Sequence, residues 1–333
     1  MTEEFAQELK RIEQQARDWS ADDNLRSLNN PTPDELRAFK AAWSTWDEGT
    51  RYSVANALAA LTEQDISVSF EPLFEAMLDD DLAVVRALAI SGLSEVVDMT
   101  LARRMLAIFQ EDPAAEVRAE AATALGAFLF GPEEPSDEEF VRTVVDSLLE
   151  AINSDVEDSL VRQRALEAYA YSDDPYVDEV LRDAYESDDD EMRASAVFAM
   201  GRRFDEDWLP IVHQELRSDA EDMRLAAVAA ASEIASSASV PHLLRVIGED
   251  PDQDVRVAAV FALAEIQSPE SERILQDLLD SDDPDIAEAA DEALDIHSSA
   301  EDLDNLLLFD ADLPDDDFRH NGGSHLHDED EES

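Results

Sequence analysis

The chain has 333 residues, no cysteine and a formal net charge of −58, which comes from 82 acidic and 24 basic residues. The lack of cysteine excludes disulfides, thiolate metal sites and cysteine nucleophiles, and the negative charge argues against nucleic acid and anionic membranes, whose binding depends on neutralising negative charge. No segment approaches the roughly 20 apolar residues that cross a bilayer, and the first residues lack the apolar core of a secretory signal, so we expect a cytoplasmic protein.

Residues 1–32 predict an N-terminal capping helix. Trp19, Trp43 and Trp46, three of the four tryptophans, lie before or within the first repeat described below. Because their rings are large and apolar, we expect these tryptophans to cover the exposed end of the helical stack. Recognition of a partner is the alternative role.

A sequence pattern returns along residues 33–299: an aliphatic residue, Arg, two variable positions, a small residue, three positions and an apolar residue. The step between copies is 31–35 residues, apart from one step of 44. The long step contains FGPEEPSDEEF, whose Pro, Gly and acidic residues predict an inserted loop at 131–138. The arginines of the pattern are Arg51, Arg86, Arg118, Arg162, Arg193, Arg224 and Arg256, and an eighth copy has Ala287 instead.

Each copy has the apolar spacing of one helix and follows a second helical pattern. Val117, Ala121, Ala124, Leu125 and Phe128, for example, fall on one helical stripe. A hairpin of about 31 residues cannot bury its apolar face alone, so its stability must come from stacked neighbours. The predicted fold is therefore all-α, an α-solenoid of about eight stacked antiparallel helical hairpins.

This D…VR..A...AL signature resembles the HEAT-like repeats first recognised in phycobilin lyase subunits. Families with this repeat include pure scaffolds, bilin lyases, a DNA glycosylase and deoxyhypusine hydroxylase, so the resemblance implies an architecture and no single activity. The charge balance contradicts the cationic face of the DNA glycosylase. Deoxyhypusine hydroxylase binds iron through His-Glu pairs, and no such pair occurs among His213, His242, His297, His320, His325 and His327.

Recurrence in successive copies predicts that the arginines form a structural ladder. Each guanidinium lies on the shoulder of the core-facing stripe, where it needs carboxylates from an adjacent inter-helix turn. The missing Arg at Ala287 agrees with this role, because the last unit has no following neighbour. Ligand binding is the alternative role of these arginines.

Nothing in the sequence points to catalysis. The chain has no G-x-S-x-G, no P-loop and no G-x-G-x-x-G, and we expect no catalytic residue, cofactor or metal. His213 and His242 fall in the first helices of neighbouring units. Ordinary packing of these rings is favoured over a metal site built from two stacked imidazoles.

The helix that carries the arginine is small or apolar almost all round. Phe198, Phe261 and Glu167 stand five positions after their arginines, on the side opposite the stripe. These side chains either pack between neighbouring units or line an exposed groove that receives a partner. Residues 300–333 predict an acidic, disordered tail, in which Leu307 and Phe309 either fold back over the last unit or dock on another protein.

The sequence favours a noncatalytic scaffold that binds another protein through an acidic solenoid surface. The acidity has two open explanations: adaptation to high salt or solubility, which the presence of only two lysines favours, and attraction of a basic partner. A modifying-enzyme subunit resembling bilin lyases and a structural protein of a salt-adapted cell are the alternative functions. The sequence does not indicate an oligomeric state.

Overall fold

The computed structural model describes residues 1–14, 23–65, 67–94, 98–131 and 137–295. Within these ranges the chain is helical, without a strand, and the predicted all-α solenoid of stacked hairpins is confirmed. The α-helices are α1 (Glu3–Gln14), α2 (Pro33–Trp43), α3 (Glu48–Gln64), α4 (Glu71–Met77), α5 (Ala83–Ser91), α6 (Met99–Glu111), α7 (Ala115–Phe130), α8 (Glu138–Ile152), α9 (Ser159–Tyr169), α10 (Val177–Tyr185), α11 (Asp190–Gly201), α12 (Leu209–Glu215), α13 (Glu221–Ile234), α14 (Val240–Glu249), α15 (Gln253–Glu265), α16 (Pro269–Leu278) and α17 over 284–295.

From α2 onward the helices pair into eight hairpins, each with a first helix (even numbers) and a second helix (odd numbers). Each second helix from α3 to α15 carries one of the repeat arginines. Second helices pack directly on one another, α7 on α9, α9 on α11 and α11 on α13, whereas the first helices from α4 to α14 pack mainly on their own second helix. The second helices therefore form the inner, more closely spaced layer of the solenoid.

Glycines allow two pairs of these inner helices, α7 with α9 and α11 with α13, to approach closely. A Cβ atom added to Gly201 would lie 2.6 Å from the Cα of Ala230, and one added to Gly126 would lie 3.0 Å from the Cα of Ala168. Both distances are to backbone atoms, which cannot move aside as the end of a flexible side chain can. Small residues on the second helices thus set the spacing between neighbouring units.

Many of the acidic residues hold helix ends. Asp98, Asp137, Asp158, Asp189 and Asp252 each accept hydrogen bonds from backbone N–H groups in the first turn of the following helix. The negative charge also interacts favourably with the helix dipole there. Part of the acidity of this chain is therefore structural.

The N-terminal helix covers the first hairpin. Phe5 and Ile12 of α1 are buried in the same core as Phe39 of α2, and the Thr2 hydroxyl donates to the Glu35 carboxylate at 2.8 Å. Trp43 and Trp46 are buried beside Phe39, and Trp43 Nε1 donates to Asp80 at 2.7 Å. Trp19, most of the inserted loop and the tail at 300–333 lie outside the described residues.

Candidate protein-binding face

The arginines of the repeat link neighbouring hairpins along one edge of the solenoid. Arg86 of α5 makes a bidentate ion pair with Asp112, in the inter-helix turn of the next unit, at 2.7 and 2.8 Å. Arg224 of α13 does the same with Asp250, at 2.8 and 3.0 Å. Burial is the largest single influence on the pKa of Asp112 and raises it, but the hydrogen bonds from Arg86 and the Ala114 N–H, together with the charges of Arg86 and Arg118, hold that pKa below its usual value.

Three further arginines reach a carboxylate of the next unit. Arg51 pairs with Asp80 at 2.7 Å and with Asp81 at 2.5 Å, Arg118 with Glu157 at 2.5 Å, and Arg256 with Asp283 at 2.7 Å. Several of them also close the turn of their own unit, as Arg118 does by donating to the Asp112 carbonyl at 2.8 Å. We call this set of links between units the arginine ladder.

Arg162 and Arg193 depart from the expected ladder. Arg162 donates to the Ile152 carbonyl at 3.2 Å and forms no ion pair within the described part of the chain. Arg193 pairs with Asp190 of its own helix at 3.1 Å. In the turn of the following unit, Asp189 caps α11 by accepting from the backbone N–H groups of Glu191 and Met192.

An open groove crosses the inner layer between α9, α11 and α13. Its volume is about 290 Å³. The charged part of its wall is an ion pair, in which the buried Glu167 accepts two hydrogen bonds from Arg164 at 2.6 and 2.7 Å. The lining residues, here called the inner groove, are Arg164, Glu167, Ala194, Ser195, Phe198, Leu225, Ala226 and Ala229.

Two of the residues predicted to bind a partner meet in this groove. Phe198 is half-buried and lines it together with Glu167. Phe261, two units further along, is half-buried against the core and is not part of the groove. Leu307 and Phe309 lie outside the described residues.

Half-buried carboxylates lie along the same layer. Burial raises the pKa of Glu120 on α7, and Arg164 partly offsets this rise. Burial likewise raises the pKa of Glu233 on α13, with Arg202 lowering it and Glu265 raising it further. Neither carboxylate makes a hydrogen bond or a salt bridge with the residues that the structure describes, so each keeps its acceptor capacity for a ligand.

Sequence reasoning missed an aromatic row at the C-terminal ends of α7, α9 and α11, formed by Phe130, Tyr171 and Phe204. The ring centroid of Phe130 lies 5.0 Å from that of Tyr171 and 5.6 Å from that of Phe204. Phe130 is 59% exposed and Phe204 is 48% exposed. The available signal was an aromatic residue at or just beyond the end of three successive second helices.

His213 and His242 stack on each other across neighbouring first helices, with centroids 3.9 Å apart and ring planes at 14°. His213 Nε2 is 3.0 Å from the Ser239 hydroxyl. Burial, followed by the neighbouring His242 and Arg217, lowers the pKa of His213 to about 4. Over the ranges given above, no group of three or more metal-ligating side chains is arranged to hold an ion, and no helix is long and apolar enough to cross a membrane.

Solved structures of low sequence identity align with most of the chain. Human deoxyhypusine hydroxylase in complex with glycerol has 18% identity and a TM-score of 0.35, with 89% of this chain and 97% of that chain covered. Kap121p has 15% identity and a TM-score of 0.41, with 93% of this chain covered, and the match spans 40% of Kap121p. The Kap95p structure described with RanGDP has 16% identity and a TM-score of 0.43, with 94% and 49% covered.

No curated protein matches the chain significantly in sequence. The sequence pattern of HEAT repeats matches three overlapping stretches, residues 102–198, 179–260 and 240–321, which together span more than half of the chain. The chain therefore belongs to the HEAT-repeat proteins.

Proposed function

We propose that this protein is a noncatalytic scaffold that binds a protein partner on the inner layer of its solenoid. The observation that carries the proposal is the inner groove, where Phe198 remains half-exposed between helices that otherwise pack closely. A groove of this kind accommodates an apolar side chain of a partner segment, and the surrounding polar groups fix its orientation. An assignment to the phycobilin-lyase type of repeat and a cytoplasmic location belong to the same proposal.

The carboxylates favour a basic partner. Glu120 and Glu233 are half-buried acceptors without hydrogen bonds among the described residues, in a chain that carries a net charge of −58. A lysine or arginine of a partner would offset the cost of keeping these groups ionised. Complementary charge would also accelerate association.

Affinity capture from the native extract tests the proposal with variants of the full chain. Ala226→Arg fills the inner groove, and Leu244→Arg adds the same side chain at a 43% exposed position on α14, in the outer layer. We expect the captured partner to be lost with the first variant and retained with the second. Both variants should keep their helical circular dichroism.

Equal capture by the two variants would contradict a role of the groove. A chain that captured no protein but changed the absorption of added bilin would instead favour the enzyme-subunit alternative. The double substitution Leu307→Ser/Phe309→Ser tests the tail separately. Unchanged capture by this variant would place recognition on the repeats.

A further inference from the structure

The aromatic row continues a stack that already contains a guanidinium. The Arg202 guanidinium carbon lies 4.5 Å from the Phe198 ring centroid and 4.9 Å from that of Tyr171, and Arg202 Nη1 donates to the Glu167 carbonyl at 3.1 Å. Tyr171 in turn contacts Phe130. Starting at the inner groove, the stacked groups are therefore the Phe198 ring, the Arg202 guanidinium and the rings of Tyr171, Phe130 and Phe204.

The last two rings have large exposed surfaces. Phe130 and Phe204 are 59% and 48% exposed. Each ring therefore forgoes part of the free energy that burial of its apolar surface would contribute to folding. They come from different units and are brought together by the stacking of α7, α9 and α11. An exposed apolar patch built from separate units is typical of an interaction site.

Phe204 has a strained backbone conformation, which costs conformational energy. Its φ of 51° lies in the left-handed region, which a bulky residue without a special reason avoids and which glycine usually occupies after a helix. The preceding Arg203 fixes the segment by donating to the carbonyls of Ala170 and Ser172 at 2.6 and 3.0 Å. A strained residue that presents an exposed ring indicates a functional constraint.

Carboxylates accompany the row. Glu167 and Glu233 are close enough to raise the pKa of Tyr171, after the larger effect of burial, and Arg202 opposes them. Glu265 adds negative charge next to Glu233. Glu167 is already paired with Arg164, whereas Glu233 makes no hydrogen bond or salt bridge within the described part of the chain, so Glu233 is the carboxylate left to pair with a positively charged ligand.

We propose that the aromatic row binds an extended, arginine-bearing segment of a partner protein, with a guanidinium stacked on Phe130 and Phe204 and paired with Glu233. Arginine suits the row better than lysine, because its planar group stacks on rings and is less strongly hydrated. Arg202 between Phe198 and Tyr171 shows the same arrangement within the chain itself. This inference rests on the proposed function, because it names the kind of segment that the inner layer receives.

The test measures fluorescence anisotropy of a labelled peptide in which arginine alternates with serine, and of its lysine counterpart, with the full chain at one fixed salt concentration. We expect the arginine peptide to bind at least about fivefold more tightly than the lysine peptide. Phe130→Ala/Phe204→Ala should remove that preference. The matched control is Tyr176→Ala, which removes a 64% exposed ring at the start of α10, in the outer layer.

A second pair of variants tests the charge. Glu233→Gln should weaken binding of the arginine peptide, whereas Asp146→Asn, on the exposed surface of α8, should leave that binding unchanged. Equal binding of the two peptides that is insensitive to the ring substitutions would overturn the proposal, since general attraction to an acidic surface would then explain it. Absence of binding would overturn it as well.

Other occupants of the row give different results. A wild-type dimer that becomes monomeric with Phe130→Ala/Phe204→Ala would overturn the proposal in favour of a second copy of the chain. No binding of either peptide by the wild-type chain, together with equal binding of both peptides by Leu307→Ser/Phe309→Ser, would overturn it in favour of the chain's own tail. If any of these results appeared while partner capture still depended on Ala226, the inference would fail and the proposed function would stand.

Discussion

Asp80 and Asp112 each join two successive links of the arginine ladder. The Asp112 carboxylate accepts from Arg86, and its backbone carbonyl accepts from Arg118. The Asp80 carboxylate accepts from Arg51 and from the indole N–H of Trp43, and the Asp80 backbone carbonyl accepts from Arg86. A single aspartate in the turn therefore connects the preceding unit to its own, which explains why the arginine and the aspartate recur together.

Removal of a buried link should destabilise the fold far more than removal of an exposed one. The side chains of Arg224 and Asp250 are 8% and 4% exposed, so Arg224→Met would leave an uncompensated buried carboxylate at a cost of about 3 kcal/mol. Arg193→Met removes a pair whose Asp190 is 92% exposed, and we expect a loss below about 1 kcal/mol. Urea unfolding followed by circular dichroism measures both, and equal losses would contradict the structural role of the ladder.

The stacked imidazoles should make the chain sensitive to acid. Because the pKa of His213 falls from 6.5 to about 4 on folding, the unfolded chain binds more protons between these values. The contribution of His213 to stability is therefore complete above its unfolded pKa and is lost as the pH falls through its folded pKa. Titration of the imidazole C–H resonances by NMR should give a midpoint near 4 for His213, whereas a midpoint near 6.5 would show that the ring is not held as described.

At the scale of helices, close spacing of the inner layer depends on positions that tolerate no Cβ. Alanine normally stabilises a helix interior relative to glycine by about 1 kcal/mol. At Gly201 the added Cβ would overlap the backbone of α13, whereas at Gly248 on α14 nothing lies within 4 Å. The same substitution should therefore have opposite effects in the two layers.

We expect Gly201→Ala to lower the melting temperature and Gly248→Ala to raise it or leave it unchanged. The overlap in the first variant costs about 1–3 kcal/mol, which outweighs the gain in helix propensity. Thermal unfolding monitored at the helical circular dichroism band distinguishes the two variants. An increase in both would mean that the second helices are not as close as the contact between Gly201 and Ala230 requires.

At the scale of the whole molecule, the net charge of −58 opposes the compact fold. Salt weakens both the repulsion among carboxylates, which destabilises the fold, and the ion pairs, which stabilise it. The effect on repulsion should be the larger one, because carboxylates greatly outnumber arginines. The Debye length falls from about 30 Å at 0.01 M salt to about 3 Å at 1 M, so repulsion between units weakens strongly. The melting temperature should rise with potassium chloride over this range, and a fall would show that surface ion pairs dominate.

The fold could be predicted from the sequence because one helical hairpin recurs with little change, and the arginine of each copy marks the position of its second helix. The position of Arg118 was enough to locate α7, and the same reasoning located each of its counterparts. The exceptions at Arg162 and Arg193 were not predictable, since both keep the arginine of the pattern and differ only in which group the guanidinium contacts: the Ile152 carbonyl for Arg162 and Asp190 of the same helix for Arg193. The aromatic row also escaped prediction, because the meeting of Phe130 with Phe204 depends on how successive units twist.

The most direct test of the inner layer as the binding surface is photocrosslinking in the native cells. A photoreactive benzoylphenylalanine in place of Phe198 lies in the inner groove, and the same residue in place of Leu244 lies on the outer layer. We predict a crosslinked protein partner from position 198 and none from position 244. A partner crosslinked from position 244 alone would contradict the account.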